Sequence, residues 1–410
     1  MTDSLPKREG ALSGLHVVEF GGYGAGPAVG KSLAEHGAEV IRVESMLRLD
    51  GFRTNYPPYT GNIPGIERAA MFAITNDNKL SVSLNLKTEK GREIAIRLVE
   101  RAQVVVENFT PGAMDRLGLG HDAMIVHNPT LVTLSTCNQG RTGPQAKRAG
   151  FGSHLTSLSG FTHLTGWPDR QPALLWGPYI DYIAVAYGVV AVLAGLEKVR
   201  RTGAGCHIDL SQYETGVQWM APAMLRYFAN GEVMDRDGNR DPNSVPHGVF
   251  PCSGEERWCA ISVHDDAEWS RFASEVGEPW VKEPDFATVA GRRADEGRLE
   301  ELIAGWTSSQ TREALVERLR RAGVHAAPVN DMGDLYSDQQ LSFRGTFERV
   351  DHAVMGLHAV PGPPYRLSET PGKVTHGAPM VGQHTEAVLC GILGFSSAEF
   401  EELKAADVLD

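Results

Sequence analysis

Residues 15–44 read LHVVEFGGYGAGPAVGKSLAEHGAEVIRVE, and this stretch decides the fold. Residues 15–20 form a short β-prone run that leads directly into a glycine-rich turn. Pro27 suits the first turn of a helix that we expect from Ala28 to His36, and Gly37 suits its C-terminal end. Residues 38–44 are again β-prone. A strand, a turn, a helix and a second strand in this order predict the start of a parallel α/β sheet.

More strands and helices are predicted up to about residue 140. Residues 80–86 alternate between leucine or valine and polar residues, which fits a strand or an extended edge. A helix capped by Thr88 is expected to run to Ala102, and residues 104–109 and 131–135 form apolar strand patterns. Strands that alternate with helices predict a doubly wound, Rossmann-like α/β domain. Its ligands should bind in the crevice at the carboxyl ends of the strands.

The chain is too long for one hydrophobic core, because its 410 residues exceed the ~250–300 at which a single core stops growing. A long apolar helix at residues 180–199 and a strand at residues 207–210 continue the first domain. A polar stretch then indicates a linker, and a hairpin and charged helices follow it. We therefore predict a large α/β domain (1–225), a linker (226–245), a smaller α+β domain (246–335) and a C-terminal segment that returns to the large domain (336–410).

Composition and charge exclude several classes of function. Hydrophobic residues make up 42% of the chain, and 39 basic against 51 acidic side chains give a net charge of −12, so electrostatics do not favour binding to nucleic acid. No run approaches ~18 consecutive apolar residues, and residues 1–10 lack the apolar core of a secretory signal. Five scattered cysteines without a CxxC motif indicate reduced thiols. We expect a cytoplasmic protein with no membrane partner and no metal site.

The glycine turn at residues 21–26 is the first candidate binding site. Glu44, at the end of the second strand, stands where a dinucleotide-binding fold has its ribose-binding acid. The spacing fails, because Val29 takes the third glycine position and glycine follows one residue later at Gly30. A glycine turn at a helix N-terminus lets backbone N–H groups approach a phosphate. A tight turn that only packs the helix on the sheet is an equally good interpretation.

The second candidate lies just past the strand at residues 104–109. Asn108, Phe109 and Arg116 stand close together in the sequence, where ligands dock on such sheets. A purine could stack on the aromatic ring and a phosphate could pair with the arginine. On the sequence alone, a strand-end turn with a surface arginine is the simpler interpretation.

The third candidate is Asp181, at the start of the long apolar helix in the stretch WGPYIDY (residues 176–182). An aspartate at this place is most often an N-cap. A carboxylate among apolar and aromatic side chains can also be a nucleophile. It would suit acyl transfer between carboxylates, because the mixed anhydride that it forms stays activated.

Together these stretches resemble the class III CoA-transferases, the formyl-CoA transferase-like family that includes carnitine and benzylsuccinate enzymes and the α-methylacyl-CoA racemases. The order and spacing of the matching motifs, nearly from end to end, carry the resemblance. They are residues 12–27 (LSGLHVVEFGGYGAGP), 37–44 (GAEVIRVE), 84–88 (LNLKT), 107–112 (ENFTPG), 116–118 (RLG), 140–144 (GRTGP), Asp181, 201–205 (RTGAG), 208–211 (IDLS), 246–248 (PHG), 328–330 (PVN) and 382–385 (GQHT). The chain resembles the benzylsuccinate-type branch more closely than formyl-CoA transferase.

The resemblance implies an activity, a ligand and an assembly. It implies transfer of CoA from an acyl-CoA to a carboxylic acid, with a CoA thioester as substrate and no tightly bound cofactor. It also implies two interlocked chains, as a homodimer or as a heteromer with a related subunit. Asp181 falls on the family's catalytic aspartate. The CoA-binding positions that follow are Gly24, Ala25, Arg42, Leu84, Lys87, Asn108, Phe109, Thr110 and Arg116.

The chain departs from the family pattern at several positions. Ser45 replaces a frequent arginine, and Ala149 replaces a CoA-contacting lysine, which leaves Lys147 and Arg148 as candidates for the CoA phosphates. Gly152 replaces an acidic residue, and the sequence has no tetraglycine lid like that of the formyl enzyme. These departures argue against formyl and oxalate substrates and indicate a roomier acyl pocket. Aromatic residues near Asp181 suggest a bulky or aromatic acid, or are ordinary core. The candidate substrate contacts are Phe151, His154 and Tyr179.

The mechanism implied by the resemblance passes through an aspartyl anhydride and an aspartyl-CoA thioester on Asp181, with succinyl-CoA as the default donor. Three other functions are weighed against it. A racemase uses a His–Asp pair that would align at Phe151 and Gly152, so it is disfavoured, although His154 stands nearby. A non-catalytic subunit of a heteromeric transferase is argued against by the presence of Asp181. An NAD(P)-dependent dehydrogenase is discounted by the glycine spacing.

Overall fold

Two compact units make up the chain. A computed structural model describes residues 8–410; residues 1–7, part of the N-terminal stretch considered above, lie outside the described range. The first unit comprises the residues up to 163, residues 174–234 and residues 340–410, and the second comprises residues 164–173 and 235–339. Residues 164–173, which the sequence placed in the large domain, pair instead with the start of the second unit: Gly238 N donates to Gly166 O at 2.9 Å, and Arg236 Nε donates to Arg170 O at 2.9 Å.

A six-stranded sheet forms the centre of the first unit, and every neighbouring pair of its strands is parallel. The strands are β1 (His16–Phe20), β2 (Glu39–Glu44), β3 (Leu80–Ser83), β4 (Val104–Glu107), β5 (Val132–Cys137) and β6 (Cys206–Ser211). Their order, β3–β2–β1–β4–β5–β6, reverses direction between β1 and β4, which is where doubly wound sheets bind ligands. The predicted α/β fold class is confirmed.

Helices pack on both faces of this sheet. The helices up to residue 230 are α1 (Ala25–Glu35), α2 (Gly51–Thr54), α3 (Ala70–Asn76), α4 (Glu89–Arg101), α5 (Ala113–Arg116), α6 (His121–His127), α7 (Gly152–Leu158), α8 (Phe161–Leu164), α9 (Tyr179–Thr202), α10 (Gln212–Trp219) and α11 (Ala221–Asn230). One apolar cluster joins α4 to one face, through Ile94 and Val105, and another joins α1 and α9 to the other face, through Val29 and Val104. Helix α1 begins three residues earlier than predicted, because Gly24 caps it and accepts a hydrogen bond from Ala28 N.

Helix α9 has a length and composition that would allow it to cross a membrane, which the sequence analysis did not anticipate. Its 24 residues include an 18-residue window with a mean hydropathy of 1.8, of which 33% is buried. This is weak evidence, since the core helix of a protein can have the same composition. In the first unit α9 lies on the sheet, where Gly188 and Gly195 face Val29 and Val132 closely enough that a Cβ would be 2.7 Å from either side chain.

A three-stranded antiparallel sheet and helices form the second unit. The sheet runs in the order β7 (His247–Pro251), β8 (Trp258–Ser262) and β9 (His325–Val329). The helices are α12 (Asp266–Val276), α13 (Val289–Ala294), α14 (Glu296–Thr307), α15 (Arg312–Arg321) and α16 (Met332–Ser337). The next helix, α17 (Gln339–Arg344), belongs to the first unit except for its first residue. The hydrophobic core of the second unit contains Phe272, Phe286 and Leu299.

The C-terminal residues lie against the edge strand β3 of the first unit. They contain the hairpin β10 (Phe347–Val350) and β11 (His358–Pro361), a π-helix at Ala387–Ile392 and α18 (Ser397–Ala405). Ser83 N donates to Thr385 Oγ1 at 3.0 Å, and the Asp410 carboxylate accepts hydrogen bonds from the hydroxyls of Ser45 and Ser83.

Candidate active site

Asp181 lies where three helices begin. It is the third residue of α9, whose N-cap is Pro178, so Asp181 is not the N-cap. A Cβ placed on Gly24, which caps α1, would lie 3.4 Å from Asp181 Oδ2. A Cβ placed on Gly152, the first residue of α7, would lie 2.8 Å from Asp181 Oδ1. Helix N-termini carry unpaired N–H groups, which are suitable donors to a negatively charged oxygen of a bound ligand.

Burial sets the ionisation of Asp181. It raises the pKa of the carboxyl group to about 7, because the surroundings solvate the charged form poorly. Within residues 8–410, no side chain forms an ion pair or hydrogen bond with this carboxylate. A desolvated carboxylate without a fixed partner is basic enough to act as a nucleophile once it is ionised.

The glycine turn beside Asp181 is held in one conformation by two side chains that are distant in sequence, Asn108 after β4 and Asp50 at the N-cap of α2. Asn108 binds both polar groups of the Gly22 backbone: its Oδ1 accepts from Gly22 N at 3.0 Å, and its Nδ2 donates to Gly22 O at 2.7 Å. Asp50 Oδ1 accepts from Tyr23 N at 2.9 Å. These bonds hold Tyr23 at a φ of 60°, a left-handed conformation that is rare for residues with a side chain. The Asn108 side chain thus supports the turn.

Arg42, predicted as a CoA contact, lies beneath the turn. It is completely buried and donates to Glu19 Oε1 at 2.7 Å, to Asp50 Oδ2 at 2.5 Å and to Gly21 O at 2.9 Å. Burial lowers the pKa of the Arg42 guanidinium, but the neighbouring carboxylates outweigh it and leave the pKa raised. A guanidinium with these partners has no exposed group for a phosphate. The hydrogen bonds of Arg42 therefore hold Asp50 and the Gly21 carbonyl beneath the turn.

The other basic residues predicted to contact CoA are exposed. Lys87 follows β3, Arg116 ends α5, and Lys147 and Arg148 lie in the loop before α7. Among the described residues none of these four side chains forms an ion pair, whereas Arg141 in the same region pairs with Glu107 and Asp115 at 3.2 and 2.9 Å. The four are therefore available for phosphates.

The remaining predicted CoA positions differ in exposure. Ala25 and Leu84 are buried, so only their backbones can meet a ligand. Phe109 packs partly against the apolar core of the α4 face, and its N–H is taken by Glu107 Oε2 at 2.8 Å. Thr110 is exposed in the turn that leads to α5. These residues all lie at the carboxyl end of the sheet.

Aromatic rings surround the approach to Asp181. Phe151 precedes Gly152 and is half exposed, and its N–H donates to His154 Nδ1 at 3.1 Å. Tyr179, predicted as a further substrate contact, is exposed and packs edge to face on Phe161 at 5.8 Å. The sequence analysis missed Tyr23 and Tyr56, whose rings join Phe151 in one cluster. Tyr23 carries the one bulky side chain of the turn at residues 21–26, a signal that could have identified it, but the sequence offers no comparable signal for Tyr56.

Two of the alternative functions lose support from the geometry. Glu44, the proposed ribose-binding acid of a dehydrogenase, is buried and pairs with Arg53 at 2.9 Å. Gly152, where a racemase would have its aspartate, packs so tightly on Asp181 that a side chain there would overlap the carboxylate. Glu44 is thus already paired, and the packing at Gly152 leaves no space for an aspartate side chain.

The second unit contains a group that could hold a metal ion, which the sequence analysis did not expect. The ligand atoms of His264, Glu268 and His325 lie within 4.8 Å of one another. The Glu268 carboxylate accepts hydrogen bonds from the backbone N–H of His264 at 2.9 Å and from His325 Nδ1 at 2.7 Å, so it is satisfied without an ion. A cavity of about 660 Å³ in the same unit is lined by Ser262 and His325, among others.

Comparison with known proteins assigns the chain to a family. Residues 12–385 match the profile of CoA-transferase family III. The succinyl-CoA–L-malate CoA-transferase alpha subunit of Chloroflexus aurantiacus is 30% identical over 97% of this chain and 92% of its own length. The succinate–glutarate CoA-transferase of Agrobacterium fabrum is 32% identical over 95% of this chain and 97% of its own length. The crystal structure of a CAIB/BAIF family protein from Brucella suis superimposes with a TM-score of 0.86 at 32% identity, and the match covers 94% of this chain and all of the other.

Proposed function

This chain belongs to CoA-transferase family III and is a CoA-transferase, and on that premise we propose that Asp181 carries CoA from an acyl-CoA donor to a carboxylic acid acceptor. The observation that carries the proposal is the placement of Asp181: a desolvated carboxylate without a hydrogen-bond partner among the described residues, at the start of three helices. This placement suits a carboxylate that becomes an uncharged covalent intermediate and is regenerated as an anion in every cycle.

The first half-reaction removes the donor acid. An Asp181 oxygen attacks the thioester carbonyl, the C–S bond breaks, and CoA leaves as a thiolate while an aspartyl-acyl anhydride forms. The thiolate then attacks the Asp181 carbonyl carbon and expels the donor acid as a carboxylate. Asp181 now carries CoA as a thioester. No oxidant, reductant or net proton is consumed in these steps.

The second half-reaction repeats the chemistry in reverse with the acceptor acid. Its carboxylate attacks the aspartyl thioester and releases the CoA thiolate, which then attacks the acceptor's acyl carbon in the new anhydride. Asp181 is regenerated as a carboxylate. Each addition places negative charge on a carbonyl oxygen, and the unpaired N–H groups at the start of α1, where Gly24 and Ala25 lie, are suitable donors for it.

The phosphates of CoA need cations outside the buried network. We infer that Lys87, Arg116, Lys147 and Arg148 supply them, because these side chains are exposed and unpaired among the described residues. Arg42 contributes indirectly by fixing the glycine turn through Asp50. Succinyl-CoA is our proposed donor, since relatives named for succinyl-CoA or succinate span nearly the whole chain.

We also propose that the active assembly contains two chains, either identical or related. In the first unit α11 has no buried residue, and its Phe228 side chain is 87% exposed. Trp219, Leu225 and Tyr227 add further exposed apolar surface on α10 and α11. Several exposed apolar side chains on two successive helices are typical of a protein interface. The name of the Chloroflexus relative as an alpha subunit makes a related second chain a reasonable alternative to a homodimer.

The experiment that tests the mechanism detects the enzyme-bound intermediate. Purified protein is mixed with succinyl-CoA without an acceptor, quenched, digested and analysed by mass spectrometry for a CoA adduct on the peptide that contains Asp181. Addition of hydroxylamine should convert the same residue to a hydroxamate. Exchange between succinyl-CoA and a pool of labelled acids is then measured for the wild type, for Asp181→Asn and for the exposed-acid control Asp115→Asn.

We expect the adduct and the exchange in the wild type and in Asp115→Asn, and neither in Asp181→Asn. A variant Asp181→Asn that still exchanges CoA at the wild-type rate would refute Asp181 as the nucleophile. Binding of acyl-CoA without exchange in any preparation would indicate a subunit that needs a catalytic partner.

A further inference from the structure

Two histidines and one glutamate of the second unit lie together at one end of its three-stranded sheet. His325 is the first residue of β9 and pairs in register with Ser262, the last residue of β8. His264 follows Ser262 by two residues, and Glu268 lies in the first turn of α12. One ligand atom from each of His264, Glu268 and His325 lies within 4.8 Å of the other two. The fold thus brings three metal-binding side chains to one point.

Hydrogen bonds from both histidines hold the Glu268 carboxylate in place. This side chain is buried, and its Oε1 accepts from His325 N at 2.8 Å and from His325 Nδ1 at 2.7 Å. Its Oε2 accepts from His264 N at 2.9 Å. A carboxylate offers about four lone pairs, so these bonds satisfy it and still leave one lone pair on Oε2 without a partner among the described residues. A buried, fixed anion with a spare lone pair can bind a cation.

The hydrogen bond to Glu268 also decides which nitrogen of His325 can bind an ion. An ionised carboxylate only accepts, so Nδ1 of the neutral ring carries the proton and Nε2 keeps its lone pair. The His325 side chain is 70% exposed and lines the cavity of about 660 Å³ in this unit. At metal centres the ligating histidine usually donates its other nitrogen to a carboxylate, because that bond orients the ring and makes it a stronger ligand.

The His264 ring is held in a similar way by Ser244. Its Nδ1 is hydrogen-bonded to the Oγ of the buried Ser244 at 2.9 Å. Its Nε2 meets the Ser262 hydroxyl at 3.4 Å, a long contact that an ion can replace. The ring centroids of His264 and His325 are 4.6 Å apart, and their planes are inclined by 83°. Both rings are therefore oriented by partners on Nδ1, so that Nε2 of each can bind an ion.

We propose that His264, Glu268 and His325 form a binding site for a divalent transition-metal ion of the zinc type. Two imidazoles and a carboxylate suit Zn²⁺, whereas Mg²⁺ and Ca²⁺ prefer oxygen ligands alone. Three protein ligands leave the fourth tetrahedral position to water. The ion joins the connection between β8 and α12 to β9, so its binding stabilises the second unit. No step of the proposed CoA transfer passes through this site, so the two proposals are independent.

The test measures zinc binding to the full-length protein after its metals have been removed with EDTA and the chelator has been dialysed away. Equilibrium dialysis gives the number of Zn²⁺ ions per chain and their affinity. The site variants are His264→Ala and His325→Ala, which remove exposed side chains and leave the core intact. His127→Ala is the matched control, because His127 is also exposed and pairs with the Glu100 carboxylate at 3.3 Å, in a pair that contains only one histidine.

We expect one Zn²⁺ per chain in the wild type and in His127→Ala, and an affinity at least about tenfold weaker in both site variants. At a free Zn²⁺ concentration of about 100 times the dissociation constant, the melting temperature of the wild type should rise by about 5 °C or more, and those of the site variants should not change. Absence of stoichiometric Zn²⁺ binding by the wild type would overturn the inference. An affinity that is the same in both site variants would also overturn it, as would binding of Mg²⁺ as tight as that of Zn²⁺.

Discussion

Gly152 and Asp181 are packed so closely that a Cβ on the glycine would lie 2.8 Å from both the Cγ and the Oδ1 of the aspartate. Real Cβ atoms essentially never approach other atoms to less than 3.0 Å. The same Cβ would lie 2.5 Å from the Pro178 side chain, so it could not move away on that side. The observed position of the Asp181 carboxylate therefore requires that residue 152 has no side chain.

A change of Gly152→Ala should inactivate the enzyme while the fold persists. The added methyl group pushes the Asp181 carboxylate out of line, and a displacement of about 1 Å in a reacting group lowers kcat/KM by about 100-fold. Steady-state kinetics of CoA transfer measure the effect, and circular dichroism checks the fold. Ser153→Ala, one residue further along α7, is the matched control and should retain the wild-type rate. Wild-type activity in Gly152→Ala would show that Asp181 does not have to stay in place.

The rate of transfer should depend on pH through Asp181. The proposed nucleophile is the ionised Asp181 carboxylate, and burial raises the pKa of this carboxyl group to about 7. We expect kcat/KM to rise about tenfold per pH unit well below that pKa and to level off above it. The profile is measured between about pH 5 and pH 9 with acetyl-CoA as donor, which carries no acyl carboxylate, and CoA binding is followed over the same range. A flat profile from pH 5.5 upward would contradict a raised pKa at the nucleophile.

The free energy of unfolding should depend on pH in the opposite direction to the rate. A carboxyl whose folded pKa of about 7 exceeds its unfolded value holds its proton more tightly in the folded state, so stability falls as pH rises from about 4 to about 7. Asp181→Asn removes this penalty. We expect the variant to be more stable than the wild type by about 1–3 kcal/mol at pH 8, with the difference vanishing near pH 4. Urea unfolding of both proteins at the two pH values checks this. Equal stabilities at pH 8 would contradict it.

The sequence predicted the parallel sheet because the sheet follows local patterns. The strand–turn–helix unit at residues 15–44 and the position of Asp181 depend on apolar periodicity and on glycine placement, which are readable residue by residue. Gly30, which disturbs the dinucleotide motif, has a tertiary cause: a Cβ there would lie 1.9 Å from Glu19 Oε2. That carboxylate belongs to the buried charge network beneath α1.

The roles of Arg42 and Asp50 were not readable, because they depend on contacts between distant residues. Arg42 sits mid-strand, where a basic side chain could face solvent or a ligand, and only the fold shows it enclosed by Glu19 and Asp50. Asp50 stands in a loop with no motif of its own. Four aromatic rings near the turn are a similar case, because they come from three distant parts of the sequence. They are Tyr23 in the turn, Phe52 and Tyr56 in and after α2, and Phe151 at the start of α7. Their spacing in the sequence did not indicate that they are in contact.

Two arginines predicted to bind CoA should differ in what their substitution changes: protein stability for Arg42 and the KM for acyl-CoA for Arg148. Arg42→Met leaves the buried carboxylates of Glu19 and Asp50 short of a partner and should destabilise the fold by about 3–5 kcal/mol. Arg148→Ala should leave the unfolding midpoint unchanged and raise the KM for the acyl-CoA by about 5- to 30-fold, because it removes one charged hydrogen bond to phosphate. Denaturant unfolding and steady-state kinetics on both variants measure the two effects. Arg42→Met with native stability and only a raised KM would restore Arg42 as a direct CoA contact.

The exposed apolar surface on α10 and α11 should control the oligomeric state. Phe228→Glu places a charge on the most exposed ring of that surface, and burying an unpaired carboxylate in an interface costs several kcal/mol. We therefore expect light scattering coupled to gel filtration to give twice the chain mass for the wild type and a concentration-dependent shift toward the monomer for the variant. Val126→Glu, which places the same charge on an exposed valine of α6, is the control and should remain a dimer. A variant Phe228→Glu that stays dimeric at nanomolar concentration would show that the two chains meet through another surface.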